Sequence, residues 1–161
     1  MPKKFILFVI ATLLFFLESI ILSGFSWYEV SLPLTFAFGL AWAVVGEEWD
    51  ALFLALITGF FADIYTNHLF GINMLLNMFT FLGIHFGKKY LRHEKNWIMI
   101  IVMGLAAFVR YGMHYLLNLA TGLSQTFQRV PVLALMVMVL ALVLLPLVRR
   151  LQKRLGKKRL K

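Results

Sequence analysis

The chain contains no cysteine, which excludes disulfide bridges, thiolate metal sites and cysteine nucleophiles. Charge is nearly as scarce. Only 14% of the 161 residues are Asp, Glu, Lys or Arg, and seven of these are acidic. Long polar stretches are also missing, so no soluble domain fits between the apolar runs. Enzyme signatures are absent too: there is no His-Glu-x-x-His helix, no phosphate-cradling glycine loop and no Gly-x-Ser-x-Gly elbow. The four histidines, His68, His85, His93 and His114, are scattered along the chain. Glu18 and Asp63 lack the flanking pattern that a pair of catalytic aspartyl-type carboxylates requires. No catalysis, cofactor or metal is therefore expected.

What is present is hydrophobic. Apolar residues make up 61% of the chain, with a mean hydropathy of +0.85, and apolar runs recur from one end to the other. This is the composition of an integral membrane protein. Six apolar segments can be drawn, over residues 5–24, 31–46, 51–65, 71–87, 97–120 and 131–147. The first follows a Met-Pro-Lys-Lys start that resembles a signal peptide. Its length of about 20 residues matches a hydrocarbon layer of about 30 Å, and no small-x-small cleavage site follows, so it is expected to be a retained span. The second is short and opens on a cap and first-turn pairing at Ser31 and Pro33. The expected fold is all-α: a compact six-helix transmembrane bundle over 1–148 and a basic tail over 149–161.

Charge orients this bundle. Six spans put both termini on one side of the membrane, and a cytoplasmic N-terminus assigns Lys3, Lys4, the four basic residues in 88–95 and the eight in 149–161 to the inside. That is fourteen of the sixteen Lys and Arg, leaving Arg129 outside and Arg110 within the membrane, as the positive-inside rule requires. Trp49, Tyr90 and Trp97 then mark the inner interface, and Trp27 and Tyr28 the outer one. The net charge of +9 is thus explained by topology, without nucleic acid. In the tail, Leu147, Leu151 and Leu155 recur every four residues among basic side chains. Two readings stay open there, a solvated anchor that fixes topology and a helix held against anionic lipid of the inner leaflet.

Four charged or titratable residues fall at membrane depth. Counted from the midpoint of each segment at 1.5 Å per residue, Arg110 and Glu18 lie within about 5 Å, and Asp63 and His114 within about 9 Å, toward the outer face. Arg110 and His114, four apart, share a helix face, and long side chains can close such offsets. Glu18, Asp63, Arg110 and His114 are therefore expected to form a cluster joining the first, third and fifth helices. Three readings remain: internal ion pairing that fixes the packing, a ligand or proton site, and a carboxylate completed by a partner protein's helix. The first is favoured, because lipid demands a partner for any buried charge. Asn73, Asn77 and Thr80 form a polar stripe on the fourth helix, expected to hydrogen-bond across to another helix. Gly59, Gly71, Gly83 and Gly87 are expected to allow close backbone approach, and Gly71 to follow a tight turn.

The stretch 59–73 carries a pattern. A glycine, Gly59, is followed four residues on by Asp63, then by a short turn in which Leu69-Phe-Gly71-Ile-Asn73 opens another apolar helix. This resembles the rod-shape-determining protein MreD family of bacteria. The resemblance implies a non-catalytic inner-membrane component of the cell-elongation machinery that makes peptidoglycan. It further implies binding to the single-span protein MreC, with MreB filaments, the RodA glycosyltransferase and its penicillin-binding transpeptidase as further partners. The fold it implies is similar to the six-helix S components of energy-coupling-factor transporters. By position, Gly59, Asp63, Gly71 and Asn73 match the family pattern, whereas Glu18, Arg110 and His114 rest on the depth argument alone. The alternative function is small-molecule binding of the S-component type, in an outward cavity near Glu18, Asp63 and Arg110. The short outer loops, with Ser124, Gln125, Thr126 and Gln128 as their main polar supply, weigh against it.

Overall fold

The computed structural model describes residues 3–21, 32–65, 70–88, 90, 96–122 and 127–157. Trp27, Tyr28, His68, Leu69, His93, Ser124, Gln125 and Thr126 lie outside them. Among the described residues the regular structure is entirely helical: α1 (Lys3–Phe16), extended by a π turn (Leu17–Ile21), α2 (Leu34–Val45), α3 (Glu48–Tyr65), α4 (Ile72–Gly87), α5 (Asn96–Ala120) and α6 (Arg129–Lys157).

The bundle is built around α2. Ten consecutive residues, Thr35 through Val44, are buried, and the helix packs against α1, α3, α4, α5 and α6. A helix apolar on every side belongs in a core. In this one, large Phe36, Phe38, Leu40 and Trp42 alternate with small Ala37, Gly39, Ala41 and Ala43, so each neighbour finds both knobs and hollows. Gly39 is one such hollow. A Cβ there would come within 2.5 Å of the Phe81 ring, which α4 lays against the α2 backbone.

Its ends are also held from outside. Lys88 at the end of α4 donates to the Gly46 carbonyl, and the Gln152 amide of α6 donates to the Val45 carbonyl at 2.8 Å. These satisfy last-turn carbonyls that no helix can pair internally, and the ammonium also suits the negative end of the helix dipole. Lys3, at the start of α1, pairs with buried Asp50 and lies 3.7 Å from Glu47, both at the start of α3 or just before it. The starts of α1 and α3 and the ends of α2 and α4 thus converge with α6 on one region.

The pair α3 and α4 approaches most closely at Gly59. A Cβ at this position would strike the Met74 backbone and lie 2.9 Å from the Asn73 carbonyl, so the first turn of α4 rests directly on α3. Gly71 has a different reason for being glycine: its φ is +100°, in the left-handed region, with open space around it. Gly83 and Gly87 correct the expectation of close packing, since a Cβ at either meets nothing within 4 Å. Gly83 lies on the outward face of α4.

Two further boundaries differ from expectation. The first helix does not run as a uniform α-helix through its apolar segment but widens into the π turn that carries Glu18. The last does not stop at Pro146 and Leu147; α6 continues unbroken to Lys157 with Pro146 inside it. Leu151 and Leu155 pack on the core and Gln152 binds Val45, which holds the helix together past the residue that would otherwise end it.

Among the described residues, two helices, over Trp97–Ala120 and Arg129–Leu155, are long and apolar enough to cross a membrane. At 1.5 Å per residue, α2 is only about 18 Å long and α4 about 24 Å, short of a hydrocarbon layer of about 30 Å. Large apolar side chains such as Leu13, Ile20, Leu75, Phe79, Leu105, Leu116 and Val143 are exposed around the outside. Gly59→Val is expected to destabilise the protein by about 1–3 kcal/mol through overpacking, read as a lower unfolding midpoint in detergent. Gly83→Ala, with no atom to meet, is expected to leave that midpoint unchanged or slightly raised.

Candidate functional site

A helix start leaves backbone N–H groups without intrahelical acceptors, and in apolar surroundings each must find one. At the start of α4 the acceptor is Asp63, carried by α3. Its Oδ2 accepts from the N–H of Gly71 at 3.0 Å and of Met74 at 3.3 Å, and its Oδ1 accepts from the N–H of Asn73 at 3.0 Å. The Asn73 side-chain amide donates to the same Oδ1 at 3.0 Å. Asp63 is buried, and so is Asn73. The carboxylate therefore serves as the cap of the next helix, and its charge lies at the positive end of that helix dipole.

Gly59 and Asp63 are one turn apart on the same face of α3. The first lets the α4 backbone come close, and the second binds the N–H groups thus delivered. Gly71 supplies the left-handed turn that aims them. The spacing seen in the sequence is the spacing of one interlocked joint.

Arg110 of α5 reaches this joint through amides. Its Nη2 donates to the Asn73 Oδ1 at 2.6 Å and its Nε to the Asn77 Oδ1 at 3.1 Å. Asn77 in turn donates to the Thr58 hydroxyl at 3.1 Å, and Thr58 to the Ala55 carbonyl. Asn73 is the hinge of the arrangement, because an amide can donate to an anion on one side and accept from a cation on the other. The guanidinium also lies over the rings of Phe36, 5.1 Å from its centroid, and Tyr111, at 4.5 Å, a favourable placement for a desolvated cation. Arg110 thereby touches α2, α4 and its own helix, and through Asn73 and Asn77 it is coupled to α3.

Glu18 occupies a parallel position. From the π turn after α1, its Oε2 accepts from the Thr35 N–H at 2.9 Å and the Thr35 hydroxyl at 2.7 Å. Thr35 lies in the first turn of α2, so a carboxylate from the preceding helix again meets the start of the next. Pro33, at the N-cap position, makes no side-chain cap of its own. Thr35 adjoins Phe36, the residue under Arg110, and this brings the two capped starts into one region. His114, one turn beyond Arg110, meets Asn118 of its own helix at 3.0 Å.

The structure thus gathers Asp63, Asn73, Asn77 and Arg110 into one hydrogen-bonded chain and sets Glu18 beside it through Thr35 and Phe36. Carboxylates were the expected partners of Arg110; its hydrogen bonds go instead to two amide oxygens. The third member of the polar stripe, Thr80, bonds back to the Leu76 carbonyl of its own helix at 2.7 Å rather than crossing to another. Sequence reasoning missed Thr35, Phe36, Thr58 and Tyr111. Thr58, a hydroxyl beside Gly59 in an apolar helix, carried a signal of the same kind as the Asn residues.

The fold and site define an all-helical protein in which apolar helices are cross-linked by buried polar side chains, with two helices long enough to cross a bilayer. The family model described as rod shape-determining protein MreD matches residues 3–155, nearly the whole chain, and the chain belongs to that family. Membership implies a role in determining rod shape and a place in the inner membrane. No curated protein and no solved structure matches the chain.

Removing the Asp63 carboxylate leaves three backbone N–H groups, those of half-buried Gly71 and Met74 and of buried Asn73, without that acceptor. Asp63→Ala is expected to cost about 2 kcal/mol or more, measured by thermal unfolding in detergent. Asp63→Asn is expected to lose a comparable amount, because its NH₂ would face the N–H groups of Gly71 and Met74. Full stability of the Asn variant would show that a single neutral acceptor suffices.

Proposed function

We propose that this protein is a non-catalytic scaffold of the cell-elongation machinery, embedded in the cytoplasmic membrane by six spans with both termini in the cytoplasm. The observation that carries the reading is where the buried polar groups are directed. Asp63, Asn73, Arg110, Asn77 and Thr58 bind one another and the start of α4, and Glu18 binds the start of α2. Their chemistry goes into holding helices in register. A bundle with an apolar exterior suits the docking of a single membrane-spanning helix, and the partner assigned to that role in this reading is an MreC-type protein, with MreB, RodA and the penicillin-binding transpeptidase beyond it. The cluster of Glu18, Asp63, Arg110 and His114 is read as packing, and Gly59, Gly71 and Asn73 as the joint that positions α4. Likeness to energy-coupling-factor S components belongs to the same reading, as a likeness of architecture.

The fourteen basic residues that the six-span topology places inside support the orientation. So do the contacts of Lys3, Lys88 and Gln152 around the turn between α2 and α3. Short α2 and α4 fit a spanning role because the backbone N–H groups at their starts are bound by carboxylates.

Co-expression with a single-span protein bearing a periplasmic coiled coil is expected to give a complex that survives purification in mild detergent. A tightly retained small molecule with no protein partner would overturn the scaffold in favour of the transporter-type alternative. Asp63→Asn sharpens the test: partner binding is expected to weaken only in proportion to the lost stability. Selective loss of the partner from a stable variant would assign the carboxylate to the interface.

A further inference from the structure

The basic C-terminal stretch is part of the bundle. Positions 149–157 continue α6 without a break. Val148 is fully buried, Leu151 and Leu155 pack on the core, and Gln152 binds the Val45 carbonyl. Arg149 turns inward to the Met99 sulfur at 3.1 Å. One face of the helix is therefore fixed to its neighbours, while Arg150, Lys153 and Arg154 are exposed.

At 3.6 residues per turn, these three share a face with Leu135, Val139, Leu142, Val143 and Leu147. Those apolar side chains are also exposed, Leu142 by 60%, Val143 by 67% and Leu147 by 55%. A single outward stripe thus changes from branched hydrocarbon to clustered cations at about residue 148. The apolar stretch 130–148 is about 28 Å long at 1.5 Å per residue, enough to fill the hydrocarbon layer, so the cations fall at the depth of lipid phosphates. A soluble acidic protein would match the cations alone. A phospholipid matches both halves of the stripe in the same order.

We infer that this stripe of α6 is a binding face for anionic phospholipid, with acyl chains along Leu135 to Leu147 and the phosphate held by Arg150, Lys153 and Arg154. The inference rests on the membrane-spanning reading above but not on the scaffold. The face is rigid, so the phosphate donors are preorganised and lipid selectivity is local to this helix, in contrast to the diffuse attraction of a loose basic tail.

The test uses the full chain in bilayer discs of equal phosphatidylglycerol and phosphatidylcholine with identical acyl chains, extracted in mild detergent, with retained lipid quantified per protein. The wild-type chain is expected to retain phosphatidylglycerol over phosphatidylcholine by about fivefold, the factor equivalent to about 1 kcal/mol for a basic residue at an anionic surface. The triple variant Arg150→Gln, Lys153→Gln, Arg154→Gln is expected to fall to near parity. The pair Arg150→Lys, Arg154→Lys, which keeps the charge, is expected to retain most of the preference. Parity in the wild-type chain, or a preference undiminished by the triple variant, would overturn the proposal. So would a triple variant that loses an acidic protein partner while its lipid ratio stays unchanged. Failure to enter the discs would sink this inference and the membrane-spanning reading together, whereas lipid preference without any single-span partner would remove the scaffold alone.

Discussion

The bundle depends on one constraint: the end of a helix buried among apolar groups must have its free backbone polar groups satisfied by side chains from elsewhere. Water does this at the surface of a soluble protein. At the starts of α2 and α4 the acceptor is in both cases a carboxylate from the end of the helix before. Asp63 takes the N–H groups of Gly71, Asn73 and Met74, and Glu18 takes that of Thr35. The same device explains why an apolar protein keeps these acids and where they sit. It also fixes the hairpins, because a carboxylate bound to two donors, as Glu18 is, or to four, as Asp63 is, resists sliding of one helix along the next.

Once the helix starts are fixed, the cation finds its place. Arg110 carries a charge that lipid cannot host alone, yet the nearby anions are already committed to backbone donors. Asn73 and Asn77 resolve the conflict by presenting oxygen to the guanidinium while their NH₂ groups serve Asp63 and Thr58. The rings of Phe36 and Tyr111 cover what remains. A buried network of this kind stabilises only when every member is matched, so its energetic role is concentrated in the middle of the chain of bonds, at Asn73. For a protein whose family acts in shape determination, the consequence is a stiff body. The polar groups that might have formed a ligand site are engaged in making the helices one unit.

The opposite end of α2 follows the same rule with reversed sign. Lys88 and Gln152 meet carbonyls after α2, and Lys3 meets Asp50 close by. At its C-terminal end α2 presents carbonyls to an ammonium and an amide, and at its start an N–H to a carboxylate, as the helix dipole favours. Part of the basic composition is carried outward as well, on the exposed face of α6 with Arg150, Lys153 and Arg154.

Sequence by itself determined the number of helices seen among the described residues and some of their limits, since apolar runs broken by Gly, Pro and charge leave little freedom in a chain of this composition. It also marked Asp63, Gly59, Gly71 and Asn73 as belonging together, because the spacing of a glycine and an acid one turn apart before a turn is local information. Only the tertiary structure decided what those residues do. The depth argument placed Arg110 near two carboxylates but could not show that backbone N–H groups, which carry no mark in a sequence, had a prior claim on both acids. Nor could helical periodicity show that Thr35, Phe36, Thr58 and Tyr111 complete the site, since each reads as ordinary apolar or small-polar filling until another helix is laid against it. The continuation of α6 past Pro146 is the same lesson. Local chemistry argues for a stop there, and packing of Leu151, Gln152 and Leu155 on a core assembled from the whole chain overrides it.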